Sequence, residues 1–235
     1  MKIIANGGLT THNKSNTIDA ILLTKNASYV DGVLLDVRLT LDNIVVIVKN
    51  DDLSIDTLGM GKVSEMKYKD IRKVKFPSKI FKYYIPTLDE VLKLYKSSKK
   101  IILNLHPLKD RNENLVLEVL KILSKYQDYN FFLESVSKEI IDYLFLYGNN
   151  YKIGKKMSNV LSKCDGESSF CDISYHYMHP YVNTYDDILV HVVNEEYQID
   201  KVLDYVINNK YNDLHIITDF PKKISDFLYS VRKIK

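Results

Sequence analysis

The chain predicts a (β/α)8 TIM barrel, with residues 1–235 forming a single domain. Three observations predict it. Eight short β-branched or apolar runs alternate with longer segments of helical spacing. Several of those segments open on helix-start signals with a physical mechanism. The length of 235 residues, with 46% hydrophobic, 11% aromatic and 27% charged residues, suffices for a full core.

The elements follow in order. Residues 3–6 form the first strand, 17–27 a helix and 32–38 the second strand. Residues 44–48 come next after only a few residues around Asp42-Asn43. A parallel crossover needs about a dozen residues, so this segment reads as a β-hairpin excursion after the second strand. A turn centred between Asp42 and Asn43 sets Lys49 across from Asp36, at the C-terminal mouth where barrels place their chemistry. The helix at 88–95 opens on a capping box, Thr87 with Glu90, in which hydroxyl and carboxylate satisfy N–H groups left unpaired at a helix start. Strands at 100–105, 130–135 and 151–155 are separated by helices at 114–126 and 138–147. Strands at 171–175, 188–193 and 214–219 follow, with helices at 197–208 and 221–232. Pro221 stands in a first helical turn, where a missing N–H costs nothing.

Composition excludes several functions. Lys and Arg number 33 against 30 Asp and Glu, and the resulting +3 is scattered, so nothing marks a nucleic-acid partner. No apolar run approaches the roughly 20 residues of a membrane span. The first strand reaches Gly7-Gly8 after three apolar residues, too few for a signal-peptide core, and the expectation is a cytoplasmic protein. Cys164 and Cys171 have no neighbours at zinc-ligand spacing and read as free thiols. Neither a Gly-x-Ser-x-Gly turn nor a Walker-type loop is present. Gly7-Gly8 could offer N–H groups to a phosphate, though a tight turn explains the pair as well.

Five stretches, in order, carry a resemblance. They are Ile3-Ile4-Ala5-Asn6-Gly7-Gly8, Ser15-Asn16-Thr17, Gly32-Val33-Leu34-Leu35-Asp36-Val37, Leu39-Thr40-Leu41-Asp42-Asn43 and Val45-Val46-Ile47-Val48-Lys49-Asn50. Further on come Gly59-Met60-Gly61-Lys62-Val63, Ile85-Pro86-Thr87-Leu88-Asp89-Glu90, Val190-His191-Val192-Val193-Asn194 and Ile216-Ile217-Thr218-Asp219-Phe220-Pro221. Together they resemble the glycerophosphodiester phosphodiesterase family, a group of phospholipase-C-like TIM barrels, over residues 3 to 221. The resemblance implies hydrolysis of glycerophosphodiesters by two acid–base histidines and a divalent cation on three carboxylates.

The skeleton is kept while the chemistry changes. The first histidine falls on Asn6, which has no proton to exchange near neutral pH, and its arginine neighbour falls on Gly7. The second histidine falls on Lys49. The three carboxylates fall on Leu34, Asp36 and His106, and the lysine that follows them falls on Leu108. One Asp with one imidazole is a poor set for Mg2+ or Ca2+. A Lys49 ammonium across the hairpin from Asp36 would then replace the cation by an ion pair.

These substitutions imply a catalytically degenerate barrel without a cofactor, in a binding or regulatory role, taking a small phosphodiester or glycerol-phosphate ligand. Its pocket candidates are Leu34, Asn104, His191 and Asn194. The alternative is an active divergent phosphodiesterase of lipid metabolism with Mg2+ or Ca2+ on Asp36 and His106, aided by Lys49 and His191. A third reading is a protein partner docked on a tyrosine-rich rim formed by Tyr83, Tyr84, Tyr175, Tyr177 and Tyr181 around His176, His179 and Pro180; the chain has 18 tyrosines and no tryptophan. His12 reads as solvated.

Overall fold

Strand β1 (Lys2–Asn6) feeds helix α1 (Ile18–Asn26), and strand β2 (Gly32–Leu39) turns back into the short strand β3 (Val45–Ile47). Two four-residue helices, α2 (Leu53–Asp56) and α3 (Tyr68–Ile71), fill the excursion before helix α4 (Leu88–Tyr95). Then alternate β4 (Lys100–Leu105), α5 (Asn112–Leu123), β5 (Phe131–Ser135), α6 (Lys138–Tyr147) and β6 (Lys152–Lys156). The chain finishes with β7 (Phe170–Ser174), β8 (Asp187–His191), α7 (Glu196–Asn209), β9 (Asp213–Thr218) and α8 (Pro221–Ile234). The structure, a computed structural model, describes residues 1–10, 13–77, 83–157, 168–177, 187–209 and 213–234.

The parallel strands run in the order β1-β9-β8-β7-β6-β5-β4-β2, and β1 also pairs with β2. The sheet therefore closes, and the fold is an eight-stranded (β/α)8 barrel with β3 attached antiparallel to β2. All eight sequence-predicted strands are present; α2 and α3 were not legible because four residues show no helical period. Helix α4 carries both halves of its predicted capping box. Helix α5 starts two residues early, because Asn112 Oδ1 accepts from the Leu108 N–H at 2.8 Å and ties the loop down.

The hairpin register differs from the expectation by one residue. Val37 pairs with Ile47, Arg38 with Val46 and Leu39 with Val45, so Val48 and not Lys49 stands opposite Asp36. The cause is the turn: Thr40 and Ile44 close it, with the Ile44 N–H on Thr40 Oγ1 at 2.9 Å and Asn43 in the left-handed region at φ 60°. That is a three-residue loop where a two-residue loop was expected, and a slip of one residue exchanges the faces of a strand.

Inward-facing side chains form three levels. Ile4, Leu34, Ile102, Phe132, Phe170, Leu189 and Ile217 make an apolar layer at mid-height. Gly154 on β6 makes room for it, since a Cβ there would sit 2.4 Å from the Phe170 ring. Below it lie Lys100, Lys152 and His215, all bonded to Asp187. Above it is a polar layer at the C-terminal mouth. Outside, a second core joins the strands to the helices through residues such as Leu35, Val37, Tyr95 and Leu103. Among the described residues, no helix is long and apolar enough to cross a membrane.

Candidate functional site at the barrel mouth

The period of two along each strand decides what reaches the mouth. On β2 it places Leu34 in the apolar layer, 2% exposed, and Asp36 above it. Leu34 is therefore part of the barrel plug and not a wall of the site, which corrects its reading as a pocket residue.

Asp36 is the hub of one cluster. Its Oδ2 accepts from Asn16 Nδ2 at 3.0 Å, and its Oδ1 accepts from Asn104 Nδ2 at 3.0 Å. His106 Nε2 lies 2.8 Å from the same Oδ1. Burial pushes the Asp36 carboxyl up, but the hydrogen bond and charge of His106, the Asn16 amide and the charge of Lys156 outweigh it and hold it at about 2. Lys49 takes no part in this cluster. Its side chain is exposed and lines a cavity of about 180 Å³ with Lys14, Ser15, Asn16, Ile55 and Phe76. Arg38 donates twice to the Lys49 carbonyl, at 2.9 and 2.8 Å. The expected Asp36–Lys49 ion pair is absent among the described residues, because the turn carries Lys49 one position past Asp36.

A second cluster comes from β5, β6, β7 and β8. Lys156 Nζ lies 2.9 Å from Asp172 Oδ2 and 3.3 Å from Glu134 Oε1. His191 Nδ1 lies 2.6 Å from Asp172 Oδ1. Burial and the Asp172 charge push the Glu134 carboxyl well up, while Lys156 and His191 hold Asp172 well below the usual carboxylate range against its own burial. The Lys156 ammonium is held well above its ordinary range by Asp172 and Glu134, although its own burial opposes this.

The third cluster closes the seam. Asn6 Nδ2 donates to Asp219 Oδ1 at 2.8 Å, and Asn194 Nδ2 donates to Asp219 Oδ2 at 2.7 Å. The Asn6 amide is thus spent on organising the loop after β9. Gly7 has φ 66° and donates its N–H to the Leu34 carbonyl at 2.8 Å, so that N–H is unavailable to a phosphate.

The structure thus brings Asn104, His106 and Asp36 together, puts His191 opposite them across the mouth and Asn194 at the seam. Three strands separate β4 from β8 in either direction around the barrel. Sequence reasoning missed Glu134, Lys156 and Asp172. Their signal was a polar residue at an inward position near the C-terminal end of a strand, outside every motif.

Other expectations fare differently. Tyr83 is 6% exposed, packs edge-on against Phe76 and donates to Asn13, so it is core and not rim. Tyr84 lies under the Arg72 guanidinium, and the Tyr175 ring meets the exposed His176 ring tilted by 35°, 3.9 Å between centroids. The Cys171 side chain is buried, with its Sγ 3.3 Å from Met157 Sδ. His12, Cys164, His179, Pro180, Tyr181 and the side chain of Tyr177 lie outside the described residues.

A divalent cation does not fit the positions expected to hold one. Leu34 offers no oxygen, and both Asp36 oxygens already accept from nitrogen donors. Among the described residues, no group of three His, Cys, Asp or Glu side chains is placed to hold a metal ion.

Residues 7–195 match the model of the glycerophosphoryl diester phosphodiesterase family. The chain belongs to that family. A curated relative from Bacillus subtilis (strain 168), YhdW, described as a candidate glycerophosphodiester phosphodiesterase, is 32% identical over 113 residues, 46% of each chain. The match thus spans about half of that relative's length. Among solved structures, an Oleispira antarctica phosphodiesterase in complex with the product sn-glycerol-3-phosphate superposes with a TM-score of 0.86 at 19% identity, covering 97% of each chain. A glycerophosphodiester phosphodiesterase from Parabacteroides distasonis gives 0.81 at 17% identity and 98% of each chain. Family membership and the barrel are therefore in agreement.

Proposed function

We propose that this family member binds a phosphate ester at its barrel mouth in a binding or regulatory role, without hydrolysing glycerophosphodiesters by the family's two-histidine, cation-dependent route. One observation carries the reading, the vertical order of charge at the mouth. The carboxylates lie deep, with side-chain exposures of 6% for Asp36 and 0% for Glu134 and Asp172. The nitrogen-bearing groups lie above them: His106 is 21% exposed, Lys156 19% and His191 20%. A phosphate oxygen entering on this side of the mouth meets the ammonium and the imidazoles before Asp36, Glu134 or Asp172, which favours an anion, while the partly exposed Asp219 carboxylate at the seam is held by the Asn6 and Asn194 amides. The acid–base positions, by contrast, hold an amide tied to Asp219 and a lysine turned outward. Each lost acid or base removes roughly 10²- to 10⁴-fold in rate.

The probe is glycerol 3-phosphate, the ligand of the Oleispira neighbour. Titration calorimetry in EDTA is expected to show binding that Lys156→Ala weakens, while ³¹P NMR of glycerophosphocholine with the protein shows no product with or without Mg2+ or Ca2+. Absence of binding at millimolar glycerol 3-phosphate overturns the reading.

A second reading, an active divergent phosphodiesterase of lipid metabolism, is favoured by one contact. The His191 ring is held by buried Asp172 at 2.6 Å, the arrangement that orients a general base, and His106 faces it from the opposite strand. Turnover of glycerophosphocholine that disappears in His191→Ala would establish it in place of the first.

A further inference from the structure

The ammonium at the end of β6 stands between two carboxyl groups from the flanking strands β5 and β7. Glu134 and Asp172 have no exposed surface, and each keeps one oxygen, Oε2 and Oδ2, without a hydrogen-bond partner. Asp172 Oδ2 does meet the Lys156 ammonium at ion-pair distance, 2.9 Å. Asp36, across the mouth, also feels the lysine's charge. Arg38 spends its guanidinium on the Lys49 carbonyl, so Lys156 is the one Lys or Arg paired with Glu134 or Asp172 among the described residues.

We infer that Lys156 is the resident cation of this barrel: a positive charge tethered to the chain that does the electrostatic work of a bound divalent ion and excludes one from the mouth. The inference rests on the reading of the mouth as a phosphate-ester site that works in the absence of a metal. Charge balance supports it. A single ammonium matches one ionised carboxylate, Asp172, with a proton retained on Glu134, whose carboxyl is pushed up by burial and the Asp172 charge. A divalent ion in the same place would match two ionised carboxylates. The lysine therefore occupies the space and satisfies the charge that would otherwise recruit an ion, and its removal leaves buried carboxyls without compensation. It also explains why the mouth tolerates Leu34 and a saturated Asp36: neither is asked for an oxygen.

The test uses the full chain after EDTA treatment and dialysis, melted with and without Mg2+, Mn2+ or Ca2+. The wild-type midpoint is expected to be unmoved by all three. Lys156→Ala is expected to melt lower in EDTA and to rise by several degrees with at least one of the ions, as mass action requires of specific binding. Adding Asp172→Asn should remove that rise. A wild-type midpoint that rises as the variant's does, or a folded Lys156→Ala with no response to any ion, overturns the inference. Should Lys156→Ala not fold in EDTA, refolding with Mn2+ is the readout: recovery is expected, and failure with every ion overturns it. None of these readouts involves a phosphate ester, so they stand or fall separately from glycerol 3-phosphate binding.

Discussion

At the scale of single residues, Asp36 is the side chain whose environment is easiest to test. Its carboxyl is lowered from the ordinary 3.8 to about 2. A depressed folded value stabilises the native state above the unfolded value, and that stability is lost as pH falls through the folded one. The difference corresponds to about 2 kcal/mol. In urea melts between pH 7 and pH 2, Asp36→Asn should therefore reduce the loss of stability seen below about pH 4 by that amount, the remaining loss coming from other depressed carboxyls such as Asp172 and Asp187. Asn16→Ala, which removes a donor from Oδ2 and an acceptor from the Asp36 N–H, should cost about 1–3 kcal/mol. Asp36, Asn104, His106 and His191 could be read from the sequence because they sit inside motifs with fixed spacing. Glu134, Lys156 and Asp172 could not, because a lone charged residue ending an apolar strand looks like a solvated strand end until the barrel closes around it.

Among the elements, the β2–β3 hairpin shows how little separates a correct topology from a correct site. The hairpin itself was legible from the short spacing, yet its register depends on whether the loop has two residues or three. Asn43 decides this with its left-handed backbone, φ 60°. Asn43→Gly should leave the melting midpoint close to wild type, while Asn43→Val should lower stability by about 1–2 kcal/mol, the cost of the left-handed region for an L side chain. Helix α4 gives the opposite case, where the local signal and the structure coincide. Thr87→Ala removes the acceptor for the Glu90 N–H and should cost about 1 kcal/mol in chemical denaturation.

Across the whole molecule, the barrel interior alternates a polar floor, an apolar layer and a polar mouth, and the apolar layer keeps the two charged levels apart. Phe132, 1% exposed, belongs to that layer and also covers the floor ammonium of Lys100, 3.8 Å from its ring. Phe132→Ala should lower unfolding stability by about 3–5 kcal/mol. Gly154→Ala forces a methyl into the Phe170 ring and should cost at least about 1–3 kcal/mol by overpacking. The alternation of elements was legible because strand and helix periods differ; the layering was not, since it depends on which of two strand faces turns inward.

The attachment of β3 has a bearing on solubility. Strand β2 pairs with β1 only over Gly32 to Leu34, so its last residues would otherwise show a bare hydrogen-bonding edge on that side. Such an edge is a template for other chains. β3 occupies it, and its own outer rim is met in turn by the Pro86–Thr87 segment, where the Pro86 carbonyl takes the Ile47 N–H. The row of open backbone positions thus ends on a residue with no N–H to donate. The hairpin that misplaces a would-be catalytic lysine is also the stopper that keeps one barrel from extending its sheet into the next.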